Sequence, residues 1–283
     1  VIACISISNF CLYGPEKRQE DSGMNIRLDH KRALVTGGSS GIGEAIVLAL
    51  ADAGAKVCVN CHSHLEAAEK IVAQIKDRKG VAYAVQADVA DPGAVARMFD
   101  EMDKRWGGTD ILVNSAGIDG PRAPGWEADP PAWRKVVEVN LFGPFYCSQQ
   151  ALKRMVRQKS GVILNISSVH EMIAWSGYSA YTASKAGLGM MTQTLAQEAA
   201  PYGVRVLALG PGAIRTPINR SVWEDPANLK DLLEKIPLNR IGEPEDVARM
   251  VVVLVSDAAS YLTGRTVFVD GGMTDYPDFA HGG

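Results

Sequence analysis

From Lys31 onward the chain alternates between two hydrophobic rhythms. Short apolar runs rich in β-branched residues read as buried strands at Arg32–Thr36, Lys56–Asn60, Ala82–Val85, Ile111–Asn114, Val162–Ile166, Val204–Leu209 and Thr266–Asp270. Segments of helical length lie between them. One follows the first strand, with apolar residues at Ile42, Ala45, Ile46, Leu48 and Leu50. Leu65–Arg78 is amphipathic, and a helical pattern covers Tyr178–Pro201. Strands alternating with helices predict an α/β fold: one doubly wound parallel sheet of about seven strands, covered by helices on both faces. No composition break, linker or repeat divides residues 27–275. The irregular stretch Gly210–Pro237 contains Pro211, Gly212, Pro217, Pro226 and Pro237, and reads as a flap able to cover a site.

Composition narrows the class. The 283 residues are 47% apolar and 22% charged, ordinary for a globular protein with a substantial core. A formal net charge of −3 and the lack of a basic stripe speak against nucleic acid or an anionic membrane as partner. No apolar run reaches the roughly 18–20 residues of a membrane span. The five cysteines are odd in number and form no disulfide-like framework, which points to a reducing compartment, the cytoplasm. Residues 1–23 differ in pattern from the rest of the chain. They lack a basic leader and a clear cleavage site, so they are expected to be a disordered or upstream-encoded extension of a domain spanning 24–283, with its natural start near Met24.

Chemistry enters at the first strand. It runs into Thr36-Gly37-Gly38-Ser39-Ser40-Gly41-Ile42-Gly43, where a helix begins. Glycine allows the tight turn and close approach of a pyrophosphate, and the helix N-terminus offers N–H donors and positive potential. A dinucleotide site is therefore expected here, although a glycine-rich turn alone can be a mere strand-to-helix loop. At the end of the second strand, Asn60-Cys61-His62-Ser63 supplies no Asp or Glu for a ribose 2′-hydroxyl, and no arginine for a 2′-phosphate. This leans toward NADP over NAD. Asp88 follows the third strand and is placed to accept from the adenine amino group; the bland alternative is a turn residue. Cys58-Val59-Asn60-Cys61-His62 matches a haem-attachment pattern, but it lies on a strand and lacks an export signal. Neither haem nor a metal is expected.

A second group is Ser167-Ser168 at a strand end, followed by Tyr181-Thr182-Ala183-Ser184-Lys185 on a helix. Tyr181 and Lys185 are one turn apart on one face. A phenol is a poor base at neutral pH, and a neighbouring ammonium favours the phenolate. Ser168 is expected to orient a substrate oxygen between the phenol and a hydride acceptor. Tyr and Lys at this spacing also occur on exposed helix faces, so the pair gains weight only from its companions.

Together these motifs resemble the short-chain dehydrogenase/reductase superfamily. TGGSSGIG, Asn114-Ser115-Ala116-Gly117, Ser168, Tyr181-x-x-x-Lys185 and Pro211-Gly212 occur in that family's order and spacing across residues 27–275. The resemblance implies a Rossmann sheet and a Ser–Tyr–Lys mechanism extended by Asn140, which holds a water in a proton relay. It also implies cofactor contacts from Gly37, Ser39, Ser40, Gly41, Ile42, Gly43, Cys61, His62, Asp88, Val89, Asn114, Ala116, Gly117, Tyr181, Lys185, Pro211, Gly212, Ile214 and Thr216. On its own Asn140 reads equally as a helix-kink or buried polar residue. Ser115 departs from the family's asparagine.

Ser168-Val169-His170-Glu171, the Gly210–Asn219 segment, Ile241-Gly242-Glu243-Pro244-Glu245 and the tail from Asp270 through Tyr276-Pro277 to Phe279 look like glucose 1-dehydrogenases. That narrower likeness implies a sugar hydroxyl as substrate, with Asp119, Ser168, His170, Glu171 and Tyr181 around it, and a homotetramer. The alternative for His170 and Glu171 is that they only stabilise their loop. Two departures stand out. The loop Ala174-Trp175-Ser176-Gly177-Tyr178 keeps the family's tryptophan without its flanking prolines, and Cys61-His62 replaces a tyrosine–arginine pair. The competing functions are a carbonyl or 3-oxoacyl reductase of the same superfamily and a catalytically silent dinucleotide-binding protein.

Overall fold

The computed structural model describes residues 26–275. Seven parallel strands form its sheet: β1 (Arg32–Thr36), β2 (Lys56–Cys61), β3 (Val81–Gln86), β4 (Ile111–Asn114), β5 (Gly161–Ile166), β6 (Val204–Pro211) and β7 (Thr266–Val269). Their order is β3-β2-β1-β4-β5-β6-β7. The doubly wound sheet expected from the alternating pattern is the one observed, with strand ends moved by a residue or two.

Each strand alternates its side chains between two cores. Val35 joins Ile46, Leu50, Ile71 and Val251 under helices α1 (Gly41–Asp52), α2 (Leu65–Asp77) and α9 (Pro244–Val255). Its neighbour Leu34 joins Phe99, Met155 and Ile163 on the opposite face. That face is covered by α3 (Pro92–Trp106), α5 (Gly143–Gln158) and α6 (Ser179–Ala199). Burial on both sides explains why the strands are continuous apolar runs. At the N-terminal edge Arg32 clamps β1 to the start of β4, its Nη2 and Nε lying 2.7 and 2.8 Å from the two Asp110 oxygens.

Strand order reverses between β1 and β4, so the helices that follow them leave opposite faces and open a crevice at the C-terminal edge. Ligands bind at such switch points in open α/β sheets. Two irregular segments border this crevice. A short helix α4 (Pro130–Val137) passes through a π-helical turn, Glu138–Phe142, into α5. The stretch after β6 is less irregular than its prolines suggest: Asp225 and Pro226 start a helix, giving α7 (Arg220–Trp223) and α8 (Pro226–Leu233). Asp225 accepts from the N–H groups of Ala227 and Asn228, which caps α8. Residues 1–23 and the tail motif at 276–279 lie outside the described residues.

Candidate active site

The glycine turn is built from backbone contacts that a side chain would destroy. A Cβ on Gly43 would collide with the Gly37 carbonyl, and one on Gly37 would lie 2.8 Å from the Ala116 Cα. Gly37 and Gly41 adopt φ of +64° and +56°, which favours glycine. Ser40 makes no side-chain cap to α1, which leaves the first-turn N–H groups directed at the crevice. Thr36 Oγ1 accepts from the N–H groups of Ser115 and Ala116 at 3.0 and 3.1 Å, tying the β1 and β4 ends together. Thr216, at the start of the flap, lies opposite Gly41: a Cβ there would be 3.5 Å from Thr216 Cγ2. Pro211 and Ile214 are buried beneath that loop, and Gly212 packs on the Asp270 backbone. This cradle, closed to a Cβ at Gly37 and Gly43 and opening a helix whose N-cap side chain makes no cap bond, fits a dinucleotide pyrophosphate.

The adenosine side differs from expectation at one residue. Cys61 is buried, its sulfur 3.9 Å from the Val85 carbonyl, so its side chain faces the core and only its backbone is available to a ribose. The strand alternation that turns Cys61 inward turns the exposed His62 outward, 3.7 Å from Asp88. Asp88 also accepts from Ala90 N at 2.9 Å and pairs with Lys135 at 3.4 Å. Those groups hold its carboxyl below the usual range although desolvation, the largest influence, pushes it up. Val89 is buried against Gly143. Sequence reasoning missed Asn60. Its side chain is buried, accepts from Gly37 N at 3.4 Å and donates to Ala87 O at 3.1 Å, joining β2 and β3 to the glycine turn. A polar residue at the end of an otherwise apolar strand was the available signal.

On the other side of the crevice, Ser168, Tyr181 and Lys185 converge. Ser168 lies beside the Tyr181 phenol and favours its ionised form, and its Oγ accepts from His170 N at 3.1 Å. The Lys185 ammonium lies 5.6 Å from the Tyr181 ring centre and donates to Ile166 O at 2.9 Å. Asn140 is fully buried in the π-helical turn. Its amide pairs reciprocally with the Ile118 backbone at 2.9 and 2.8 Å and reaches Ser184 Oγ at 3.3 Å. It is thus both a kink residue and a neighbour of the lysine's helix. Gly117 lies between them: a Cβ there would be 3.4 Å from Asn140 Oδ1 and 3.8 Å from Lys185 Nζ. Asn114 donates to Asn165 and Ser148 at 2.8 and 3.2 Å, while its Oδ1 is buried without a partner.

Electrostatics correct one expectation. Burial pushes the Tyr181 phenol up to about 12, only partly opposed by the Ser168 hydrogen bond, and Asp119 adds to the rise. Burial likewise drives the Lys185 amine down to about 8, against the pull of Asp119 and Glu171. Desolvation of the phenolate is thus the largest influence on Tyr181, and Lys185 is not among the groups that offset it.

The substrate side is aromatic. His170, Trp175 and Tyr178 stack, with ring centres 4.4 Å apart for the first pair and 3.9 Å for the second. Both His170 and Trp175 meet Tyr181 edge-on at 6.1 and 5.8 Å. His170 Nδ1 lies 3.0 Å from Ile173 O, and burial lowers its basicity. Asp119 is pushed up by burial, and Lys185 and His170 only partly oppose this. Glu171 does not join the group. Its carboxylate accepts from Ser167 at 2.6 Å and from Thr266 at 2.9 Å, turned toward β7. Of its two possible roles, loop support matches this geometry and sugar contact does not. Trp175 and Tyr178, on the loop whose departures from the glucose 1-dehydrogenase pattern stood out, complete this aromatic wall.

A Gly-rich pyrophosphate cradle facing a Ser–Tyr–Lys cluster is a hydride-transfer arrangement. The family model described as enoyl-(acyl carrier protein) reductase matches residues 37–274. This chain belongs to the short-chain dehydrogenase/reductase superfamily. Over 256 residues it is 44% identical to 3beta-hydroxysteroid dehydrogenase 1 of Eggerthella lenta, covering 90% of this chain and 98% of that protein. It is 40% identical over 251 residues to glucose 1-dehydrogenase 2 of Bacillus subtilis, covering 88% and 97%. The crystal structure of a gluconate 5-dehydrogenase from Burkholderia cenocepacia, in complex with NADP and tartrate, superimposes with a TM-score of 0.85. Identity there is 34%, over 89% of this chain and 98% of that one. The protein is an NAD(P)-dependent oxidoreductase acting on CH–OH groups. No helix among the described residues is long and apolar enough to cross a membrane.

Proposed function

We propose that this dehydrogenase/reductase interconverts a ring-borne secondary alcohol and its ketone, on a substrate that lays an apolar face against the His170–Trp175–Tyr178 stack. The stack abutting Tyr181 is the observation that carries this reading. Met172 beside it is 71% exposed, and Ile173 is exposed as well, which extends the apolar surface. A free hexose needs a polar partner for each buried hydroxyl. Here Glu171 is engaged by Ser167 and Thr266, and Ser179 accepts from Trp133 Nε1 at 3.2 Å. Asp119 and the Nε2 of His170 offer polar contacts near Tyr181, but the wall that abuts it is aromatic. A hydroxysteroid-type alcohol suits this cleft better than glucose, and the similarity to a hydroxysteroid dehydrogenase agrees. Glucose 1-dehydrogenase activity is the second reading, favoured by Asp119 and His170.

In this mechanism Ser168 and Tyr181 hold the substrate oxygen. Tyr181 Oη takes the hydroxyl proton in oxidation and returns it in reduction. Lys185 supports the charge that develops on that oxygen, and Asn140 fixes the turn beside it. A nicotinamide cofactor held on the Gly37–Gly43 cradle would supply the hydride acceptor or donor. Thr216 and the flap close the cradle on the opposite side, which excludes water. NADP is placed ahead of NAD because β2 ends without a carboxylate to repel a 2′-phosphate.

A homotetramer is part of the reading. Phe142, Phe145 and Met190 expose large apolar side chains around α5 and α6, which supports pairing of this face. The buried, free Cys58, Cys61 and Cys147 accord with a reducing cytoplasm.

Nicotinamide absorbance assays with a 3-hydroxysteroid, glucose, gluconate and a 3-oxoacyl thioester, each with NAD and NADP, test the substrate assignment. The steroid is expected to exceed glucose in kcat/KM by about a hundredfold, the scale of leaving buried polar groups unpaired. Equal or better turnover of glucose would overturn the apolar reading. Tight NADPH binding with no turnover of any substrate would favour a silent binding protein.

A further inference from the structure

Two stretches of sequence have no part in the proton or hydride chemistry: Ile241-Gly242-Glu243-Pro244-Glu245 and Asp270-Gly271-Gly272-Met273-Thr274. The fold brings both to one place, the two roots of the flap. The leading root, residues 213–216, ends on Thr216, which faces Gly41 across the cradle. The trailing root, residues 236–238, returns the chain toward α9. Ile214, Ile236 and Ile241 are buried, whereas α8, between the roots, buries none of its residues. The flap is therefore held at its roots and not along its length.

The turn after β7 fastens each root. Leu238 N donates to Gly271 O at 3.0 Å, and Gly212 N donates to Val269 O at 3.0 Å. Ala213 N lies 3.4 Å from the Met273 thioether. Gly271 and Gly272 have φ of +65° and +91°, which favours glycine. Their missing side chains also admit the trailing root: a Cβ would lie 2.8 Å from Ile236 Cγ2 and 2.9 Å from Pro237 Cγ, respectively. Residues 241–243 complete the join. Gly242 N donates to Ala213 O at 2.9 Å, Arg215 N donates to Gly242 O at 2.8 Å, and Arg215 Nε lies 3.0 Å from Glu243. Thr216 is the next residue after this paired stretch, so its place follows from the join.

One side chain folds the turn. Asp270 Oδ1 accepts from Gly272 N at 3.0 Å, and Oδ2 accepts from Thr274 N and Thr274 Oγ1 at 2.8 and 2.7 Å. A carboxylate is a strong acceptor and a thioether a weak one, so the turn keeps its shape through Asp270 more than through Met273. We propose that Asp270 is a positioning residue for the cofactor: it folds a clasp that holds both roots of the flap, and so sets the backbone that presents Thr216 to the nucleotide. The inference rests on the reading that Thr216 closes the cradle over the cofactor. It assigns Asp270 no contact with cofactor or substrate.

The NADPH dissociation constant of the full chain, measured by fluorescence titration, tests this without a substrate. Asp270→Asn puts a donor where the carboxylate accepted, and is expected to weaken NADPH by about tenfold, the scale of one unpaired backbone donor. Thr274→Val removes one donor and no charge, and is expected to weaken it by about threefold. Thr216→Ala should weaken it as well. Combined with Asp270→Asn it should cost less than the product of the two single effects, because one residue acts through the other. Asp110→Asn loosens the Arg32 clamp at the opposite edge of the sheet, and should lower Tm without moving the constant. An unchanged constant in Asp270→Asn overturns the proposal. So does a full product in the double variant, or an equal weakening in Asp110→Asn, which marks general loss of stability. Where Asp270→Asn does not fold, Thr274→Val decides, and an unchanged constant there overturns the proposal. An unchanged constant in Thr216→Ala sinks the reading of Thr216 and the inference with it, so the two failures are distinguishable.

Discussion

The two walls of the crevice are made from different materials. The nucleotide wall is backbone: glycines at 37, 41 and 43, the N-terminus of α1, and the Thr36 hydroxyl stapling β4. The substrate wall is side chain: an adjacent serine and tyrosine, a buried lysine, and three stacked rings. Backbone sites tolerate almost no substitution but accept any ligand with a pyrophosphate. Side-chain sites change with each residue, which is how one fold serves many substrates. The difference also appears in the electrostatics, since strong burial effects gather on Tyr181 and Lys185 and not at the glycine turn.

That contrast is broken most severely by Tyr181→Phe. Removing the proton-transfer hydroxyl is expected to lower kcat by roughly 10³–10⁴-fold, within the usual span for an acid/base group. NADPH affinity, measured by fluorescence titration, should stay within about twofold. Near-normal turnover would mean that the substrate wall does not carry the chemistry.

Gly43→Ala attacks the opposite wall. The added methyl collides with the Gly37 carbonyl, so the turn must open. NADPH affinity should fall by more than about tenfold, and stability by about 1–3 kcal/mol, the common cost of overpacking. Unchanged affinity would show that the cradle does not hold the pyrophosphate.

Trp175→Ala sharpens the comparison, because only one wall is touched. Loss of the stacked ring should raise KM for a ring alcohol by about tenfold, near the upper value of an aromatic contact. The cofactor dissociation constant should not move. A parallel rise in both would place Trp175 in the cofactor site.

The pH dependence comes from Lys185. Burial lowers its amine to about 8, so it is charged below that pH and neutral above it. Ketone reduction, which uses the ammonium, should decline as pH rises through about 8. A flat profile across this range would remove the lysine from the mechanism.

The smallest effect lies away from both walls. Asp246 caps α9 through Glu243 N and pairs with Arg240 and Arg249, which hold its carboxyl down at about 2. A carboxyl lowered in the folded state contributes stability at neutral pH that is lost as pH falls from about 4 to about 2. Asp246→Asn should cost about 1 kcal/mol at neutral pH, read as roughly 2–4 °C in Tm, with no change in kcat.

The nucleotide wall was legible residue by residue, because tight turns next to a pyrophosphate demand glycine at set spacings. The alternation of strands and helices and the one-turn spacing of Tyr181 and Lys185 were legible too, since both are local periodicities. For the expected cofactor contact at Cys61 the side chain is not available: alternation along β2 sends it to the core and leaves His62 outside. The prolines after β6 suggested irregular chain, yet Asp225 and Pro226 in sequence start a helix.

Local pattern alone thus determined the sheet, the cradle and the presence of a tyrosine–lysine pair, because those features are set by neighbours within one turn or one strand. Tertiary structure decided the rest. Glu171 finds Thr266 across 95 positions of chain, and that contact takes it out of the substrate site. His170, Trp175 and Tyr178 become a wall only when their loop folds over Tyr181. Burial then raises the phenol and lowers the amine, a consequence of the low dielectric around them that no spacing of residues encodes.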